Sequence, residues 1–319
     1  MSNQSISFRR IRLGSWVVLT GLLLIMIILH HYSIRQYIAE RHYKDGVNFF
    51  AHNRLSYAVE SYEKAIEAVP WDSHYYVYYS EVYDKVISTL PKQLDVALPK
   101  LNTLEQILYR LHKLDPINPW YSGRLAQFFL SKSEYYDPQS EDYLALINQS
   151  KYFFTLSQSQ DLNNPLFSRS LAQFHQFYGD PSEALKYYEY TIKLDPRPGL
   201  FLTARYNLGH MYFQLNREAD GLDQLLFIYE SNPSFHDVSS FLGKYYLSKN
   251  NLTEAKRYFE SDYNRNPRDI DAIQNLAEYY FYVSAYSDAL VLFSKLHKRV
   301  PTNEFYKARY EFLLQHSSR

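Results

Sequence analysis

Residues 202–303, broken after each proline, read LTARYNLGHMYFQLNREADGLDQLLFIYESNP, SFHDVSSFLGKYYLSKNNLTEAKRYFESDYNRNP and RDIDAIQNLAEYYFYVSAYSDALVLFSKLHKRVP, followed by Thr302 and Asn303. Pro233, Pro267 and Pro301 therefore stand 34 residues apart. Twelve residues before each comes a small residue, Gly221, Ala255 or Ala289, and eight before each a large one, Leu225, Phe259 or Phe293. Upstream, Leu208-Gly209, Leu242-Gly243 and Leu276-Ala277 keep the same register, with Tyr212, Tyr246 and Tyr280 three residues after the small position. A fixed period carrying large, small and proline positions marks stacked units, none of which buries its apolar side alone.

Composition agrees with a long helical array. The chain has 319 residues, with only 9 Gly and 13 Pro, which suits helices joined by short turns. Aromatics make up 18 %, including 33 Tyr, and the repeat positions account for much of that. The formal net charge is +0, so no basic field points to nucleic acid. With Cys 0, disulfides and cysteine zinc sites are excluded and the redox compartment stays open.

The repeat positions resemble those of the tetratricopeptide repeat (TPR) family, which builds each unit from two antiparallel helices. The resemblance implies that the small residue lets the first helix approach the second, that the large residues fill the space between neighbours, and that proline closes each unit because it cannot continue a helix. The expected fold is all-α: a right-handed TPR-type α-solenoid of about seven helix pairs with a C-terminal capping helix, preceded by one N-terminal transmembrane helix. The units fall at about 39–72, 73–118, 119–164, 165–198, 202–235, 236–269 and 270–303, with the cap at 304–316.

In the first unit Gly46, Phe49, Ala58, Tyr62, Ala65 and Pro70 hold the family positions. The second has Ser80 and Tyr83 in register and is then stretched, with Pro91 and Pro99 flanking an insertion before a helix from about Lys100 to Leu114. The third has Leu125, Ala126 and Phe129, an expansion through Tyr135 to Pro138, and a second helix from about Glu141 to Gln160. Regularity returns with Leu171-Ala172, Ala184, Tyr188 and Pro196, where Asp180-Pro181 is a good helix start. Arg197-Pro198-Gly199 adds three residues before the fifth unit.

The N-terminus reads differently. Residues 1–12 form a short basic tail with Arg9, Arg10 and Arg12. Leu13 to Leu29 is uncharged and apolar, at the lower limit for crossing a bilayer, with Trp16 and Tyr32 at the ends where interfacial aromatics belong. His30-His31-Tyr32-Ser33 is a poor cleavage site, which favours an uncleaved anchor over 13–32 rather than a signal peptide. The tail is basic without acids, whereas Arg35, Arg41 and Lys44 are diluted by Glu40 and Asp45. That asymmetry predicts a cytoplasmic N-terminus with the repeats outside, periplasmic in a bacterium; the alternative leaves them cytosolic. No Pro or Gly separates Leu29 from Gly46, so the span is expected to run straight into the first repeat helix.

No chemistry is expected. The 11 His form no His-Glu-x-x-His pattern, and no phosphate loop or nucleophile elbow is present. No catalytic, metal or cofactor residues are assigned. His175 and His210 are expected on first-helix faces of adjacent units. The TPR resemblance implies a concave working surface lined by Arg169, Gln173 and Gln176 in unit four, Tyr206, His210 and Phe213 in unit five, Ser240, Lys244 and Leu247 in unit six, and Gln274, Glu278 and Phe281 in unit seven. Such a lining suits an extended or helical peptide. A carboxylate clamp known in chaperone-binding members is matched only in its first half, by Arg169, Gln173 and Asn207. Asp237 and Phe241 stand where bases are needed. The expected role is a membrane-anchored adaptor that docks a protein or peptide partner in envelope assembly, secretion or membrane-complex biogenesis. The first alternative is a permanent subunit of a larger envelope or polysaccharide-export machine. The second is an enzyme with a site in the expanded units.

Overall fold

The apolar stretch and the first repeat helix form one element, α1 (Gln4–Ala51), unbroken because nothing between Leu29 and Gly46 interrupts helical hydrogen bonding. The computed structural model describes residues 4–197 and 201–316. Residues 1–3 of the basic tail, Pro198 and Gly199 of the inserted tripeptide, and residues 317–319 lie outside the described residues. Among the described residues there are only helices, and the chain divides into two compact units, the first ending at Leu162 and the second beginning at Asn163.

The first unit pairs α1 with α2 (Leu55–Ala68), α3 (Ser73–Ser88) with α4 (Leu94–Leu114), and α5 (Pro119–Ser133) with α6 (Glu141–Gln160). The second pairs α7 (Pro165–Tyr178) with α8 (Pro181–Leu194), α9 (Leu202–Gln214) with α10 (Glu218–Ser231), α11 (Val238–Ser248) with α12 (Leu252–Arg265), and α13 (Ile270–Tyr282) with α14 (Tyr286–Arg299). α15 (Glu304–His316) closes the stack by burying Tyr306 and Leu313 against the last pair. Each unit is thus a TPR-type solenoid segment.

The repeated small residues have the expected job. A Cβ on Gly243 would lie 2.5 Å from the Phe259 ring, so α11 and α12 approach this closely only without one. Gly209 and Gly221 face each other in the same way, each close to the other's carbonyl oxygen. Fully buried Tyr188, Tyr258, Phe259 and Phe293 then fill the spaces. Many tyrosines also tie one pair to the next through their hydroxyls: Tyr79 donates to Glu63 (2.6 Å), Tyr212 to Glu189 (2.6 Å) and Tyr280 to Glu260 (2.9 Å). A buried phenol needs such a partner, and these bonds explain part of the tyrosine content.

Turn chemistry repeats as well. Asn216, Asn250 and Ser284 all adopt left-handed backbone, with φ of 59°, 58° and 58°. The next residue's N–H reaches back to the carbonyl of Tyr212, Tyr246 or Tyr280 at 2.8 Å, and the left-handed residue's own N–H to Phe213, Leu247 or Phe281. This is the Schellman closure of a helix. Asn53 does the same after α1, where Arg54 donates to the Phe49 carbonyl.

Two helix starts differ from expectation. α4 begins at Leu94, not near Lys100, and carries Pro99 inside it. Pro99 lies past the first turn and removes the bond to the Asp95 carbonyl, while buried Ala97 and Leu101 on either side hold the turn in place. α11 begins at Val238, later than the repeat spacing from α13 would place it, because His236 takes a left-handed conformation (φ 46°). The expected cap at Asp180 is present: its carboxylate accepts from Ser182 N at 2.8 Å, with Pro181 in the first turn.

Candidate functional site

In the second unit, α7, the start of α8 and α9 enclose a cavity of about 400 Å³. Its walls are Gln176, Phe177, Tyr206, Asn207, His210 and Gln214, with Pro181 and Met211 completing the lining. A relay organises its polar side: Asn207 Nδ2 donates to the Tyr188 hydroxyl (2.8 Å), which donates to Gln176 Oε1 (2.5 Å). Burial pushes the Tyr188 phenol up to about 12, so it remains a neutral donor. The relay engages the Asn207 NH2 and the Gln176 carbonyl and so fixes both amides.

The other side is aromatic. Tyr206 lies edge-on to His210 (centroids 4.3 Å), and His210 lies edge-on to Phe241 (4.7 Å). Tyr206 donates to Asp237 Oδ1 at 2.6 Å, and burial followed by that bond raises its pKa. Burial lowers the His210 pKa, with Asp237 pulling the other way, and the buried Nε2 has no hydrogen-bond partner among the described residues. The neutral imidazole is therefore the resting form at neutral pH.

The residues carried over from the family pattern separate into three groups. Gln176, Tyr206, Asn207 and His210 come together in the cavity. Lys244 and Glu278 are exposed, and Gln173 is half-buried. The remainder serve the fold's own contacts. Arg169 lies over the Phe201 ring (5.6 Å), and Phe213 packs on Phe241 and Tyr245. Ser240 is buried, donating to Asp262 (2.7 Å) and accepting from Asn275 (2.9 Å). Gln274 donates to Glu278 and accepts from Tyr306 (2.7 Å). Leu247 packs in the core cluster of the last two pairs, and Phe281 meets Phe312 of α15 with Arg309 over its face at 3.9 Å. His175, expected on a first-helix face, is buried with its ring stacked on Tyr187. Phe177, Pro181, Met211 and Gln214 were not anticipated; Phe177, Met211 and Gln214 each follow an anticipated residue by one position.

The first unit holds a second cavity of about 410 Å³ beside the expanded region, walled by Ile87, Leu101, Leu104, Leu108 and Phe128. Charges on its rim pair with neighbours: Arg124 with Asp84 (2.6 Å), and Glu134 with Lys92 (2.8 Å). Among the described residues no group of three or more His, Asp or Glu is placed to hold a metal ion.

No family model matches the sequence. No curated protein matches it either. Solved structures do match in fold. The C-terminal part of a TPR repeat-containing protein from Cytophaga hutchinsonii superposes with a TM-score of 0.60 at 13% identity, covering 84% of this chain and 98% of that one. Pseudomonas aeruginosa pilF superposes with a TM-score of 0.53 at 10% identity, covering 76% and 99%. The fold is that of the tetratricopeptide repeat.

Proposed function

We propose that this TPR-fold chain is a membrane-anchored adaptor that holds an extended segment of a protein partner in the second unit's groove. One observation carries the reading: the Asn207–Tyr188–Gln176 relay presents two immobilised amides opposite the rings of Tyr206 and His210. Fixed amides suit the main-chain N–H and C=O groups of a peptide, and a flanking aromatic wall suits one apolar side chain. Exposed Phe177 extends that wall. TPR folds occur in proteins of many roles, so the likeness supports the scaffold and the groove supports the partner class.

The anchor is α1 from Leu13 to Tyr32. Its described part from Trp16 to Leu29 is apolar and is not buried by any other described residue. The arginines before it favour an N-terminus on the cytoplasmic side and repeats on the other, periplasmic in a bacterium. On this reading the partner belongs to envelope assembly, secretion or the building of a membrane complex.

A photo-crosslinking residue at Tyr206 in the full-length chain, in its own membranes, should capture a discrete protein band, and Gln176→Ala with Asn207→Ala should weaken it at least fivefold. Equal capture from Glu230, an exposed position on α10, would overturn the groove assignment. A reporter fused after Arg319 tests sidedness separately.

A further inference from the structure

The first unit has two edges of turns, and they differ. On one edge lie the turns within pairs, 52–54, 89–93 and 134–140, and none of them exposes a large apolar residue. On the other lie the turns that end each pair, and each exposes one: Trp71 (47 % exposed) after α2, Ile117 (79 %) after α4 with Trp120 (53 %) beside it, and Leu162 after α6. The chain has 3 Trp. One, Trp16, is in the span, and the other two are on this edge.

This edge is also where the span enters. Trp71 meets Tyr32 of α1 at 5.6 Å between centroids, and the Arg35 guanidinium lies over its ring at 5.7 Å. Gln36 donates to the Tyr75 hydroxyl (3.1 Å), fixing α1 against the start of α3. The row continues through bonds between successive turns. Arg110 donates to the Pro70 carbonyl (3.2 Å), Tyr121 to Ser73 (3.2 Å) and Gln160 to the Pro116 carbonyl (2.7 Å). From Leu13 to Tyr32 a helix rises about 29 Å, close to the roughly 30 Å of a hydrocarbon core, so Tyr32 and the row that starts at it fall at the boundary between lipid and water.

We propose that this edge of the first unit rests on the bilayer surface, with Trp71, Ile117 and Trp120 among the lipid headgroups, so that the protein touches the membrane along a line of turns as well as through its span. The inference rests on the anchor reading above. Trp favours the interfacial layer, where its ring is sheltered and its N–H is hydrated. The edge is not a basic patch: beside Arg35 and Arg110 it carries Asp72, which caps α3 by accepting from His74 N, and Asp115, which accepts from Asn118. Contact is therefore driven by apolar and aromatic insertion and needs no anionic lipid.

The test uses the full-length chain in phosphatidylcholine bilayers whose acyl chains carry bromine near the headgroup, a short-range quencher of Trp emission. Trp16→Phe with Trp71→Phe leaves Trp120 alone, far along the edge from the span. Its emission should fall at least twofold relative to unbrominated lipid and resist aqueous iodide, and Ile117→Glu should reverse part of the effect. Unquenched, iodide-accessible Trp120 would overturn the proposal, as would Trp120 unquenched by lipid but shielded in native membranes, which would mean a protein covers it. Trp71→Phe with Trp120→Phe leaves Trp16 as the internal standard. Trp16 quenched while Trp120 is not removes the edge contact alone; Trp16 unquenched removes the anchor reading, and the proposal with it.

Discussion

Gly243→Ala is the sharpest probe of the packing. The added methyl would sit 2.5 Å and 2.6 Å from two carbons of the Phe259 ring. Carbon atoms in ordinary contact stand at about 3.5–4.0 Å, so ring or helix has to move by about 1 Å. Phe259 has nowhere to go: it is buried and packed against Tyr279 of the next pair. Overpacking of this kind costs roughly 1–3 kcal/mol. Alanine returns about 0.5–1 kcal/mol by stiffening a helical position, leaving a net loss centred near about 1 kcal/mol. Gly123→Ala in α5 is the control, since its Cβ would meet only the Ser157 hydroxyl oxygen at 3.3 Å and Cβ at 4.0 Å. That change should be neutral or stabilise by up to about 1 kcal/mol. Because repeat arrays open pair by pair, hydrogen exchange in α11 and α12 reads the effect better than a single melting point. Phe259→Leu in the Gly243→Ala background should recover part of the loss as a coupling energy of about 0.5 kcal/mol or more. Equal exchange in Gly243→Ala and the unaltered chain, or equal losses at Gly243 and Gly123, would refute the assigned register.

Other expectations concern single groups. Ser284→Asn or Ser284→Gly should stabilise by about 0.5–1 kcal/mol, because the left-handed conformation there costs serine more than either replacement; a thermal or urea midpoint checks it. Lys132→Ala should destabilise the first unit by about 1–3 kcal/mol, read as a lower urea midpoint, since Lys132 is buried and reaches Glu105 at 2.6 Å, while breaking the solvent-screened pair Lys64–Glu60 should leave the midpoint close to unchanged. Burial holds His210 below its ordinary value, so the unfolded chain takes up that proton first as pH falls. Its contribution is complete above the unfolded pKa near 6.5 and is lost as pH drops through the lower folded one. His210→Phe should flatten the stability profile in that window, measured by urea midpoints from pH 7.5 to 5.

The helix pairs were legible in the sequence because their cause is local and repeated. Gly243, Ala255, Phe259 and Pro267 each do one steric task, and the same set recurs in fixed register. The left-handed turns at Asn216, Asn250 and Ser284 were not read from the sequence, although Asn is a residue such a helix end favours. The groove was less legible. Spacing places a residue on a helix face but does not say whether a neighbouring element uses it, and Ser240 and Phe281 are taken by Asp262 and α15 respectively. The relay through Tyr188 was out of reach for a related reason: Tyr188 holds a repeat core position, and that its hydroxyl reaches Asn207 and Gln176 depends on how α7, α8 and α9 cross.

Because α1 passes from the apolar stretch into the first pair without a joint, it sets a rotational phase as well as a height. Each residue of helix turns the chain beyond it by about 100° and lifts it by about 1.5 Å. One residue added between Tyr32 and Ala39 would swing Tyr32 away from Trp71 and point the pair in another compass direction. Seven added residues would bring it round to within about 20° of its bearing, yet raise it by about 10 Å. Few insertions in a helical chain are neutral in both bearing and height, so the length of this short stretch is constrained even though few of its side chains are buried.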